Sequence, residues 1–107
     1  MNCKINMTAT AKQDLKEIAR YIYEQSKEKH LALRFVKELQ DKCNLLKDFP
    51  QCGSLPDDRI LISLGYRFLI HKDYLIFYIY KQEDNTAHIM AIFNAKRDYL
   101  RVMKKFI

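Results

Sequence analysis

The spacing of apolar residues changes once along this chain, and that change constrains the fold more than any other feature. In the first part they recur at intervals of three and four: Ala11, Leu15, Ile18, Ala19 and Ile22, then Ala32, Phe35, Val36, Leu39, Cys43 and Leu46. That is the period of two helices, each with one buried face. Beyond Asp58 they come instead in short runs rich in β-branched and aromatic types, as strands do. Between the two regimes, Pro50 to Asp58 holds both prolines and one glycine and reads as the principal loop. Pro50 stops the second helix, because it has no N–H to donate and restricts Phe49 before it.

The remaining boundaries follow from local chemistry. Cys3 to Met7 alternate weakly and read as a short first strand, after which Thr8 or Thr10 supplies a helix N-cap. Asp14 and Glu17 lie early in the first helix, where its dipole favours acids. The polar stretch Gln25 to Lys29 separates the helices by so few residues that they must form an antiparallel hairpin. After the loop, Arg59 to Ser63, Tyr66 to His71, Tyr74 to Lys81 and Ala87 to Phe93 read as strands. Turns fall at Gly65, at Lys72 and Asp73, and at Glu83 to Asn85. Arg97 to Phe106 has helical spacing, with Leu100, Met103 and Ile107 on one side. The order predicts an α+β fold: an N-terminal strand and a helical hairpin packed on a twisted antiparallel β-sheet, with a short C-terminal helix. At 107 residues, 49% of them hydrophobic, the chain is expected to be a single domain over 1–107.

Charge narrows the function. Lys and Arg total 19 against 13 Asp and Glu, a formal charge of +6. Such an excess favours an acidic partner: nucleic acid, a ribosomal surface or an acidic protein. The three cysteines are odd in number and match no zinc spacing, so they read as reduced thiols of a cytoplasmic protein, with Cys43 in the core. No run approaches the roughly 18 apolar residues that span a membrane, and no signal peptide is evident. His30, His71 and His88 are too far apart to suggest a metal site, and two glycines make no phosphate loop. No cofactor is expected.

What remains is a basic and aromatic cluster late in the chain. Arg67, His71, Lys72 and Asp73 surround one turn; Lys96, Arg97, Tyr99, Arg101, Lys104 and Lys105 follow in the tail. Cations of this kind hold phosphates and stabilise charge that builds on phosphorus during cleavage. Tyrosines offer stacking faces to bases. Plainer roles stand beside these. Arg67 can face solvent or pair with an acid, His71 can be a surface histidine, and Asp98 can cap the tail helix and leave Arg97 solvated. Tyr74 and Tyr78 have the spacing of strand residues on one face and suit packing.

Four segments in order, "ATAKQDLKEIARYIYEQS", "FVKELQDKCNLLKDFPQCG", "GYRFLIHKDYLIFYIY" and "AIFNAKRDYLRVM", together resemble the RelE/ParE superfamily of toxins from bacterial type II toxin–antitoxin systems. The resemblance covers nearly the whole chain. It implies the fold just described and a cognate acidic antitoxin that wraps the toxin. It also implies one of two actions. RelE-like members cleave mRNA on the ribosome without a metal, the 2′-hydroxyl attacking the neighbouring phosphorus. ParE-like members inhibit DNA gyrase and are not enzymes. On the first, Arg97 would stabilise the transition state, His71 or Asp73 would act as acid or base, and Tyr99 would stack or donate a proton. Arg67 would stand near a strand lysine of RelE-like members, with Lys72, Lys96, Arg101, Lys104 and Lys105 gripping nucleic acid. His71, Asp73 and Tyr74 also approximate a YafQ-like set. On the second, "DYLIFYIY" fits, and Leu75 and Met103 stand where a RelE-like nuclease carries an arginine and a tyrosine. His71, Asp73 and the tail cations tilt this reading toward RNA cleavage. An inactive relative that only binds an antitoxin is a third expectation.

Overall fold

A computed structural model describes residues 2–107. The elements run β1 (Lys4–Met7), α1 (Ala9–Ser26), α2 (Lys29–Asn44), α3 (Arg59–Ser63), β2 (Tyr66–His71), β3 (Tyr74–Lys81), β4 (Thr86–Asn94) and α4 (Tyr99–Met103). Single 3₁₀ turns follow α2 and α4, at Leu45–Lys47 and Lys104–Phe106. Thr8 starts α1: its hydroxyl accepts the Ala11 N–H at 3.2 Å and donates to the Ile89 carbonyl at 2.6 Å. The helix ends at Lys27, whose left-handed backbone (φ 60°) returns its N–H to the Tyr23 carbonyl. Only Lys27 and Glu28 then separate α1 from α2, so the hairpin closes tightly.

The sheet order is β1-β4-β3-β2. β2, β3 and β4 form an antiparallel meander, and β1 joins it parallel to β4. On one face, Leu15 and Ile18 of α1 and Leu39, Cys43 and Leu46 pack against Ile76, Tyr78, Ile89 and Ile92. The opposite face is also covered, where Leu61 of α3 and Met103 of α4 close over Tyr66, Leu75, Phe77 and Phe93. Each large side chain taken fully out of water contributes about 1.5–3 kcal/mol. β3 is therefore buried on both faces, which is why Leu75 to Tyr78 form an unbroken apolar run rather than an alternating one.

The structure departs from the sequence expectations at three places. Arg59–Ser63 is a helix, not a strand. The Asp58 carboxylate accepts the Leu61 N–H at 2.9 Å and nucleates the turn, and five apolar-rich residues are too few for a period to distinguish the two. The sheet is mixed, because β1 pairs parallel to β4 and residue pattern carries no information on strand direction. In the tail, Met103 is buried as expected, but Leu100 and Ile107 are exposed, and Tyr99, Val102 and Phe106 face the core instead. Tyr99, Val102, Met103 and Phe106 also recur at helical spacing, so periodicity alone does not choose between the two stripes.

β1 flanks β4 only as far as Ile89. Beyond that point α1 replaces it. The Thr8 N–H and hydroxyl both reach the Ile89 carbonyl, and the Asp14 carboxylate accepts the Ile92 N–H at 2.9 Å. The ladder between β3 and β4 slips here, since Phe77 faces Ala91 while Tyr78 faces Ile89, leaving Met90 as the extra residue of a bulge. Burial raises the Asp14 carboxyl above its ordinary value, and the Ile92 hydrogen bond and the Lys105 charge offset part of that rise.

The loop before α3 is fastened to the sheet through Gly53. Its N–H donates to the Tyr78 hydroxyl at 2.9 Å, and its carbonyl accepts Arg67 Nη1 at 2.9 Å. Ser54 and Phe68 then exchange two backbone hydrogen bonds, each of 2.9 Å. The approach is so close that a β-carbon on Gly53 would lie 2.7 Å from the Tyr78 ring.

Two outcomes follow. Gly53→Ala overpacks this contact and is expected to lower unfolding free energy by about 1–3 kcal/mol in urea titration; wild-type stability would refute the close approach. Asp14 has a raised pKa in the fold, so folding favours its protonated form. Its contribution is greatest below the ordinary carboxyl value of 3.8 and is lost as pH rises through the raised folded value. Asp14→Asn retains an acceptor for Ile92 and should flatten that decline in urea midpoint above pH 3.8. An unchanged pH slope would show that Asp14 is not its source.

Candidate functional site

The expected residues separate into three groups. The first surrounds the β2–β3 turn. Lys72 adopts a left-handed backbone (φ 52°), an uncommon conformation for a residue with a side chain. His71 and Lys72 both meet one oxygen of Glu38 on α2: Glu38 Oε1 lies 2.9 Å from His71 Nε2 and 3.1 Å from Lys72 Nζ. Hydrogen bonds from these two groups hold the Glu38 carboxyl below its ordinary range. Phe35, one turn before Glu38, packs against the His71 ring and against Tyr74, while the Lys72 ammonium sits 5.5 Å from its ring centre. Burial pushes the Tyr74 phenol up. Asp73 holds the turn through its backbone carbonyl, which accepts the Ala95 N–H at 2.7 Å. Between this turn, the helical hairpin and the end of β4 opens a cavity of about 430 Å³, with Tyr21, Phe35, Tyr74, Arg34, Lys72 and Lys96 in its walls.

The second group lies along the tail. Arg97, Arg101 and Lys105 are exposed, and none makes a side-chain hydrogen bond or ion pair among the described residues. They form one side of a groove of about 640 Å³ whose other side carries Asp14 and Glu17 of α1, with Phe93 between. Asp98 caps α4 through the Leu100 N–H at 3.1 Å and leaves Arg97 solvated. Lys104 is exposed and lies outside this groove. Tyr21, Tyr74 and Asn94 are shared between the first cavity and a smaller one that contains Arg97, so the two groups occupy one continuous end of the sheet.

The third group belongs to the scaffold. Arg67 is tied to the Gly53 carbonyl. The Tyr99 hydroxyl accepts the Asp57 N–H at 2.9 Å, and its ring packs 5.6 Å from Phe77. Tyr66 is buried in the second core. Leu75 and Met103, where the resemblance implied an arginine and a tyrosine in nucleases, are 8% and 0% exposed. The residues that sequence reasoning passed over are Tyr21, Arg34, Phe35 and Glu38 of the hairpin. Arg34 and Glu38 are four apart on α2, a spacing that places them on one helix face. Which strand end they meet appears only in three dimensions.

Among the described residues, no helix is long and apolar enough to cross a membrane. No curated protein matches the sequence. A family model, "ParE toxin of type II toxin-antitoxin system, parDE", matches residues 5–99. Among solved structures, the chromosomal ParDE toxin–antitoxin system of P. aeruginosa superposes with a TM-score of 0.71 at 18% identity, covering 88% of this chain and 97% of that one. The toxin–antitoxin complex RelBE2 of Mycobacterium tuberculosis gives 0.66 at 18% identity, covering 88% and 99%. A mutant of the E. coli toxin RelE in the free state gives 0.66 at 10% identity over the full length of both chains. At such identities the likeness to these structures is one of fold. The family match spans most of the sequence, and the chain belongs to the ParE toxins of type II toxin–antitoxin systems, within the RelE/ParE superfamily.

Proposed function

We propose that this toxin acts by binding rather than by chemistry, as a ParE-like inhibitor of DNA gyrase that a cognate acidic antitoxin neutralises in the cytoplasm. One observation carries the reading: side chains that would serve a nuclease are committed to the scaffold. Arg67 holds Gly53 and Tyr99 holds Asp57. Leu75 and Met103 are core residues. Arg97, Arg101 and Lys105, by contrast, stand exposed on one strip of surface. Exposed, unpaired cations steer association with an acidic surface and set its orientation. The family match points the same way.

Ribosome-dependent mRNA cleavage is the second reading, and the His71–Glu38 contact favours it, because an imidazole oriented by a carboxylate is a competent acid or base. On that reading Arg97 stabilises the developing charge, Asp73 assists His71, and Lys72 and Lys96 grip phosphate.

The two diverge in paired assays. Purified toxin is expected to block plasmid supercoiling by gyrase and to leave mRNA intact in an in vitro translation reaction. Arg97→Glu combined with Arg101→Glu, both at exposed positions, should raise the inhibitory concentration by about tenfold or more, equivalent to about 1.4 kcal/mol. Normal supercoiling together with cuts inside codons that vanish in Arg97→Ala would overturn the binding mechanism in favour of the nuclease.

A further inference from the structure

We infer that the cavity between the β2–β3 turn and the helical hairpin is a nucleotide site, taking an aromatic base against Tyr21 and Tyr74 and a phosphate on Arg34 and Lys96. This goes beyond the toxin reading and does not rest on it. The charges are the first ground. Glu38 is offset within the cavity by Lys72 and His71, both on the same carboxylate oxygen. Arg34 and Lys96 remain in the cavity walls, one from α2 and one from the segment after β4. Neither makes a side-chain hydrogen bond or ion pair among the described residues, and Asp73 is the acid left facing them. Two such cations from separate elements suit a phosphate, which accepts several charge-assisted hydrogen bonds at once.

The walls are the second ground. Three aromatic rings, Tyr21, Phe35 and Tyr74, share the cavity with Ile22 and Leu31. Lys72 already lies over Phe35, and Tyr74 meets that ring edge-on. Tyr21 is 56% exposed, so a flat ring laid against it would displace water. An aromatic wall accepts any base, because every base presents a π face. The Asn94 side chain lies at the same site, with its Oδ1 accepting the Lys96 N–H and its amide beside the Tyr74 hydroxyl. At about 430 Å³, the cavity falls within the range of roughly 300–1,000 Å³ typical of small-ligand pockets. An acidic peptide would satisfy the cations but has no need of three rings.

Saturation-transfer NMR on the full chain tests the assignment, with adenosine 5′-monophosphate as probe. Saturation is expected on the base protons, with inorganic phosphate a weak competitor. Tyr21→Ala and Arg34→Ala, both at exposed positions whose replacement leaves the core intact, should each weaken binding by about tenfold. Adenosine should respond to Tyr21→Ala and not to Arg34→Ala. A 5′-phosphorylated trinucleotide that binds more tightly than the mononucleotide would identify a strand end as the source; equal or weaker binding would identify the free nucleotide. No transfer at millimolar concentration, equal competition by inorganic phosphate, indifference to both substitutions, or binding of an acidic peptide but not the nucleotide would each overturn the proposal.

Discussion

The organisation of this protein depends on how the exposed edge of β4 is satisfied. A strand with an unpaired edge needs partners for its N–H and carbonyl groups. Here β1 supplies them only up to Ile89, and α1 supplies the rest through Thr8 and Asp14. The consequence reaches the functional end of the molecule. Because α1 is drawn against β4, Glu17 and Tyr21 come to lie beside the strand's C-terminal end, next to Asn94 and Arg97. The cost is a half-buried carboxylate with a raised pKa, moderated by a hydrogen bond and by tail cations.

Coverage of both sheet faces explains where polar chemistry can occur. The helical hairpin takes one face, and α3 with α4 takes the other. A strand position such as Leu75 is therefore interior whichever way it points. The places left for charged groups are the ends of the strands, and the β2–β3 turn and the segment after Asn94 lie at the same end. The charged surface is thus assembled from chain reversals, while the strands determine the spacing between them.

Much of this was legible beforehand. The two helical stripes, the stop near Pro50, the turn at Lys72, the buried Cys43 and the Asp98 cap all follow from side-chain periodicity or local hydrogen bonding, which involve residues close in sequence. The misreadings have a common cause in contacts between distant residues. Arg59–Ser63 presented strand-like residues, and a single cap at Asp58 decided for helix. Arg67 and Tyr99 were singled out for charge and hydroxyl chemistry, yet each is held by the backbone of the Pro50 to Asp58 loop, 14 residues from Arg67 and 42 from Tyr99. Glu38 escaped notice because its partners lie 33 residues further on. Arg97, by contrast, is exposed, and no distant partner among the described residues claims it.

The parallel pairing of β1 with β4 also governs when the protein can exist at all. Asn6 meets His88, 82 positions further along the chain, so the first strand made must wait for the last. The helical hairpin can form while the chain is still being synthesised, since its contacts are local. The sheet cannot close until β4 has been made, and the second core stays open until Met103 is in place. A ribosome still translating this message carries a precursor without the assembled charged surface. Only once β4 and the segment after it have been made do Arg97, the cavity walls and the strand ends that position them come together, so the charged surface is the last part of the fold to be assembled.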